Sequence, residues 1–305
     1  MVPLDPDTTG YRAHVVERED PRWPVAADAL DRAGAGPGEM AVVRDGHSLL
    51  IRRGEVVVRV RPRSQEPVAA REVAVALALA GAGVPITLLV SAEGQPWHLG
   101  SWVVTAWEWA EATGSAGPAD LGSLAGLLRE RTSGGMAYDV ARFDPIAAIR
   151  GAVHHLPVGD AQAEAVRRLA MDAAPAWAAV ADRDPRGTVI VHGDLHSDNV
   201  VATRSGPLLT DLELAGAGPP SYDAAPAALA VRRYGADQAT FDQFAEAAGD
   251  DPRQWDGFAV CVRVYELWVT AWAVGVRHRS PELEREATIR IASLVDGNEA
   301  RWQLH

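Results

Sequence analysis

The character of the chain changes once, near Glu108, and that change limits the architectures it can adopt. Before it, Val42-Val43, Leu49-Leu50-Ile51 and Val56-Val57-Val58-Arg59-Val60 are apolar runs separated by short Gly-bearing turns at 44–48 and 52–54. Runs of this kind form antiparallel hairpins. A loop over 62–67 leads into a helix over about 68–81, with Val73, Leu77 and Ala80 on one stripe. Further strands are expected at 84–90 and 101–107. Residues 110–120, rich in Gly, Ala, Ser, Thr and Pro, form a connector. Helical periodicity dominates beyond it, over 121–131, 160–181 and 258–276, with a kink or break expected at Pro175. Short strands at 188–191, 200–203 and 207–210 interrupt the helical part. This order predicts an α+β, bilobal fold, with a small β-rich lobe over 1–108 and a larger helical lobe over 109–305.

With 305 residues and 48% hydrophobic composition, both lobes can bury real cores. The richest apolar stretches, Val73 to Val90 and Phe258 to Val276, are interrupted by Gly, Pro, Arg or Glu, so no membrane span is expected. The start, Met1-Val2-Pro3-Leu4-Asp5, lacks the basic and apolar regions of a signal peptide, and a cytoplasmic protein is expected. A single cysteine, Cys261, excludes an intrachain disulfide and reads as a buried thiol. The net charge of -12 argues against nucleic acid as a partner. It could draw in a cationic substrate, but solubility explains it as well. All 29 basic residues are Arg, and Lys is absent. A high-GC genome accounts for that bias, yet it rules out a Walker A loop and a Schiff-base lysine.

The chemistry-bearing segment is Val191-His192-Gly193-Asp194-Leu195-His196-Ser197-Asp198-Asn199-Val200, with Asp211 twelve residues after Asn199. Apolar strand pieces place Asp194, Asn199 and Asp211 on tight loops near strand ends. Phosphoryl transfer asks for this set. Mg²⁺ prefers oxygen ligands, which the Asn199 amide and the Asp211 carboxylate can supply. A second carboxylate, Asp194, would orient and deprotonate an attacking hydroxyl. The Asp-to-Asn spacing matches the catalytic loop of protein kinases, with Gly193 in place of their Arg, so regulation through a phosphorylated loop is not expected. A rival reading takes His192, Asp194 and His196 as the metal ligands of a hydrolase.

His-Gly-Asp-Leu-His-x-x-Asn followed by an apolar strand ending in Asp resembles the aminoglycoside-phosphotransferase and choline-kinase family, which shares the protein-kinase-like fold. The resemblance implies a small-molecule kinase using Mg²⁺ and ATP or GTP. The acceptor would be an aminoglycoside or other antibiotic, a sugar, a choline-like alcohol or another amino alcohol, cationic ones among the candidates. Asp194 would be the base, Asn199 and Asp211 the metal ligands, and His192 and His196 supports of the loop. Asp223 would be scaffold. The family's strand lysine is missing; Arg59 stands in its place with Glu72 as helix partner, the rivals being an exposed Arg59 or Arg61 in that role. Gly46-His47-Ser48 is a candidate phosphate-covering turn, which makes Ser48 a nucleotide contact. Ala106, Trp107 and Glu108 resemble the hinge that meets adenine, although Trp107 could simply fill space between the lobes. Glu266 is a candidate acceptor contact, with a surface salt bridge as the alternative. A kinase-like binding protein without turnover is the remaining alternative.

Overall fold

The computed structural model describes residues 20–46, 48–90, 94–134 and 139–303; His47 and the N-terminal Met1–Asp5 segment lie outside them. The chain divides into two compact units. The first comprises residues up to Gly81, Pro85–Gly114 and Val201–Glu213; the second comprises Ala82–Val84, Ser115–Val200 and Leu214–His305.

In the first unit α1 (Arg22–Arg32) precedes an antiparallel sheet of β1 (Ala41–Asp45), β2 (Leu49–Arg53), β3 (Val56–Pro62), β4 (Trp97–Leu99) and β5 (Trp102–Glu108), in the order β1-β2-β3-β5-β4. Its core joins Ala26, Ala29 and Leu30 of α1 to Leu49, Ile51, Val58, Val60, Trp97 and Val104. Strand side chains alternate between faces. Val58 and Val60 therefore enter that core, while Arg59 and Arg61 share the opposite face and pair with Glu72 on α2 (Glu66–Gly81). The sequence missed α1, whose inward stripe rests on two alanines and one leucine, and it missed the short β4. Residues 84–90, expected as a strand, are not one. Ile86 bridges Leu209 and Leu89 bridges Trp107, so two different partners divide the segment and no ladder develops.

β6 (Gly114–Ser115) lies at the edge of a small sheet with β8 (Val200–Thr203) and β9 (Gly206–Leu209). In the second unit β7 (Val189–Val191) pairs antiparallel with β10 (Gly216–Gly218). The helices are α3 (Pro118–Arg131), α4 (Pro145–Ala152), α5 (Ala161–Val180), α6 (Ala225–Tyr234), α7 (Gln238–Ala248), α8 (Phe258–Val276) and α9 (Pro281–Asp296). Asp144, Asp160 and Ser280 cap α4, α5 and α9 by accepting backbone N–H bonds. α5 is continuous through Pro175, so the expected break is absent. The core centres on α8, which packs against α4, α5, α6 and α9. By length and composition alone Phe258–Arg279 could cross a bilayer, but 67% of its most apolar window is buried inside the protein. That burial makes it a core helix.

Candidate active site

The order of β7, turn and short 3₁₀ segment (Ser197–Asn199) gives the second unit its polar cluster. β7 is anchored where Ile190 N–H donates to Thr132 Oγ1 at 2.8 Å. Just past the strand, the buried Asp223 carboxylate accepts from His192 N–H and Gly193 N–H, one per oxygen, both at 2.8 Å. Gly193 has φ +82°, and a Cβ there would lie 2.7 Å from Phe143 Cε2, so no side chain fits. Two amides held by one carboxylate and a turn that only glycine can make fix where Asp194 emerges.

Asp194 Oδ1 accepts from the Tyr265 hydroxyl at 2.7 Å, and Oδ2 lies 3.6 Å from His196 Nε2. Burial raises the Asp194 carboxyl, but neighbouring His196 and the Tyr265 hydroxyl outweigh it, and the net displacement is downward. The group is therefore ionised at neutral pH. Asn199 Nδ2 donates to the Asp194 carbonyl at 2.9 Å. A carbonyl only accepts, so this bond settles which end of the amide is nitrogen and leaves Oδ1 to serve as a donor to a cation. His192 Nδ1 accepts from Asp194 N–H at 3.3 Å, and His196 Nδ1 from Asp198 N–H at 3.3 Å. Both histidines thus bind loop backbone. Among the described residues no group of three His, Cys, Asp or Glu side chains is gathered to hold a metal, which counts against the hydrolase reading of His192, Asp194 and His196.

The first unit carries a charge cluster. Arg59 Nη1 lies 2.8 Å from Asp211 Oδ1, 2.8 Å from Glu213 Oε1 and 3.1 Å from Glu72 Oε1. Arg61 Nη2 lies 2.9 Å from Glu72 Oε2 and 2.5 Å from Glu213 Oε1. Arg44 Nη1 on β1 stands 3.7 Å from Asp211 Oδ2. Arg59 is only 7% exposed, so it is not a solvated strand arginine, and Arg61 shares its partner Glu72. Burial raises Asp211, yet Arg59, Arg44 and Arg61 hold it well below the usual carboxylate range. Asp211 adopts φ +59°, the left-handed region that non-glycine residues rarely enter. That backbone is a local strain spent on aiming one carboxylate.

The remaining expected residues divide. The Gly46 N–H donates to the Ser48 carbonyl at 3.1 Å in the β1–β2 turn. Ala106 N–H is taken by Gln95 Oε1 at 2.7 Å, and Glu108 N–H by the Leu88 carbonyl at 2.8 Å, so these two hinge donors are already engaged. Trp107 is buried, its Nε1–H donating to Thr105 Oγ1 at 2.9 Å. Glu266 is fully buried on α8, where Arg233 Nε donates to it at 2.6 Å. It makes an interior ion pair rather than a surface one, and its carboxylate faces Arg233 rather than solvent. Reasoning from sequence missed Glu213, Arg44 and Tyr265. Glu213 follows Asp211 by two residues, a spacing that could have flagged it; nothing local marks the other two.

Known structures share this fold. The amicoumacin kinase hAmiN, solved with AMP-PNP, Ca²⁺ and Ami, superposes with a TM-score of 0.67 at 11% identity, covering 92% of this chain and 95% of that one. A choline/ethanolamine kinase family protein from Mesorhizobium loti gives 0.56 at 20% identity, over 88% and 93%. An aminoglycoside-3'-phosphotransferase of type VIII gives 0.58 at 20% identity, over 80% and 98%. No curated protein sequence matches the chain. The sequence model of the phosphotransferase enzyme family, APH, matches residues 48–258, more than half of the chain, and spans both the Arg59–Glu72–Asp211 cluster and the Asp194–Asn199 loop. The chain belongs to the APH phosphotransferase family, a group of enzymes that phosphorylate hydroxyl groups of small molecules.

Proposed function

We propose that this phosphotransferase moves the γ-phosphoryl group of ATP or GTP, with Mg²⁺, onto a hydroxyl of a small amine-bearing acceptor. The observation that carries the reading is Asp194, a carboxylate kept ionised on a loop whose turn is fixed by Asp223 and Gly193. In the reaction the acceptor oxygen bonds to the γ-phosphorus while the β–γ bridging bond breaks. The leaving diphosphate keeps the electron pair, and the acceptor proton passes to Asp194. Asn199 and Asp211 are the residues that would hold a hard divalent cation: the Asn199 amide oxygen is left by its hydrogen bonding, and Asp211 is held ionised by Arg59. When bound, the cation neutralises phosphate charge. Arg59, with Glu72 and Arg61 around it, is the guanidinium assigned to the nucleotide phosphates in place of a lysine. Amine-bearing acceptors head the panel because solved relatives of this fold are named as choline/ethanolamine, amicoumacin and aminoglycoside kinases.

The test is magnesium-dependent ADP and GDP release against aminoglycosides, other antibiotics, sugars and amino alcohols. Acceptor-stimulated release is expected in the wild type. Asp194→Ala and Asp211→Ala, each checked for folding by circular dichroism, are expected to lose at least about 10²-fold in kcat. Normal turnover in either variant overturns the assignment of roles. Silence of the wild type across the panel favours a nucleotide- or metabolite-binding protein without turnover.

A further inference from the structure

The aromatic stripe of α8 reads in sequence as packing, and most of it is. Tyr265 differs. It is 3% exposed, and its ring meets Tyr222 edge-on, centroids 6.0 Å apart at 84°. Tyr222 packs in turn on Phe143, at 4.6 Å, and on Trp177, at 5.6 Å. Phe143 is the ring that abuts Gly193. Four rings thus form one continuous stack bracing the catalytic loop, and the Tyr265 hydroxyl projects from it to Asp194 Oδ1 at 2.7 Å. The direction of donation is settled. The phenol O–H is the donor and the carboxylate oxygen the acceptor, 2.7 Å apart.

We propose that Tyr265 is a positioning residue for phosphoryl transfer: its hydroxyl pins Oδ1 of Asp194 and so presents Oδ2 to the acceptor. The proposal rests on the kinase reading above. An aspartate carboxylate turns broadly about its last torsion. A short hydrogen bond to a charged oxygen, from a buried ring packed edge-on against Tyr222, selects one orientation. Oδ2 is held less closely than Oδ1, with His196 Nε2 at 3.6 Å and Asn199 Nδ2 at 3.5 Å. The arrangement trades some basicity of Asp194 for fixed geometry. Misplacement of a reacting group by about 1 Å costs roughly 10²-fold in rate, so the trade favours turnover.

Tyr265→Phe isolates the hydroxyl, because the ring and its stack remain. Its kcat is expected to fall about tenfold, with the KM of nucleotide and acceptor and the thermal midpoint close to wild type. In an Asp194→Ala background the same change is expected to do nothing further to the residual rate, since the two groups act as a unit. An unchanged kcat, a raised acceptor KM at constant kcat, or an equal further loss in the Asp194→Ala background each overturns the positioning role. A wild type that phosphorylates nothing sinks the kinase reading and this inference with it. A wild type that turns over, matched by Tyr265→Phe in kcat, sinks the inference alone.

Discussion

One nitrogen of Arg59 lies within 3.1 Å of three carboxylates, and no lysine in the chain could take over that task. Arg59 Nη1 and Arg61 Nη2 each take one oxygen of Glu72, and both reach Glu213 Oε1. Arg59→Ala would leave Glu72, 1% exposed, with half its counter-charge. Stranding one member of a buried ion pair costs about 3–5 kcal/mol. Asp211 and Glu213 are partly solvated and can relax, so the expected loss is about 3 kcal/mol in urea unfolding, with a raised nucleotide KM. A variant with wild-type stability and KM would move the phosphate contact to Arg61 or Arg44. The Asp194–Asn199 contact was legible because its spacing is local, and the Arg59–Glu72 ion pair because a strand and the next helix bring the two together. Tyr265 was not legible. Burial of a ring explains its place in the stripe as well as a hydroxyl bond does, and its partner lies 71 residues away.

Between elements, α3 and α7 approach each other closely. A Cβ at Gly122 would lie 2.2 Å from the Phe244 carbonyl oxygen, and one at Gly126 would lie 3.0 Å from that of Ala248. Small residues four apart form one face of a helix, and here that face lets two backbones touch. Gly122→Ala must push the helices apart. Overpacking of this kind costs about 1–3 kcal/mol, against a small gain from helix propensity, so a net loss of about 2 kcal/mol is expected in chemical denaturation. A neutral or stabilising result would mean that α7 shifts freely. The sequence marked α3 as a helix but not this contact, because glycine carries no hydrophobic signal. Pro175 is the opposite case: of the expected kink or break, the break does not occur. The proline removes one N–H, but buried Ala165, Val166, Ala170 and Trp177 run along α5 on both sides of it and keep the helix whole.

For the whole molecule, an α+β order with a β-rich first part was readable from periodicity; the return of the chain to the first unit was not. Residues Val201–Glu213 are distant in sequence from that unit yet belong to it. Leu209 N–H donates to the Pro85 carbonyl at 3.0 Å, and Thr87 N–H to the Leu209 carbonyl at 2.9 Å. The same segment supplies Asp211 and Glu213 to Arg59 and Arg61. A fragment ending at Gly114 therefore keeps the five-stranded sheet but leaves two buried guanidiniums to share Glu72 alone. Removing partners of buried charges costs about 3–5 kcal/mol, which is most of the stability of a small domain at the low end of about 5–15 kcal/mol. Such a fragment is expected to show no cooperative urea transition by tryptophan fluorescence. A fusion that joins Gly114 to Val201–Glu213 through a flexible linker is expected to regain one, because the hairpin brings both carboxylates and the bridge to Ile86. If the shorter fragment unfolds as cooperatively as the fusion, the charge cluster is a passenger on the sheet. If only the fusion does, the carboxylates assigned to the nucleotide end of the reaction also hold the first unit together.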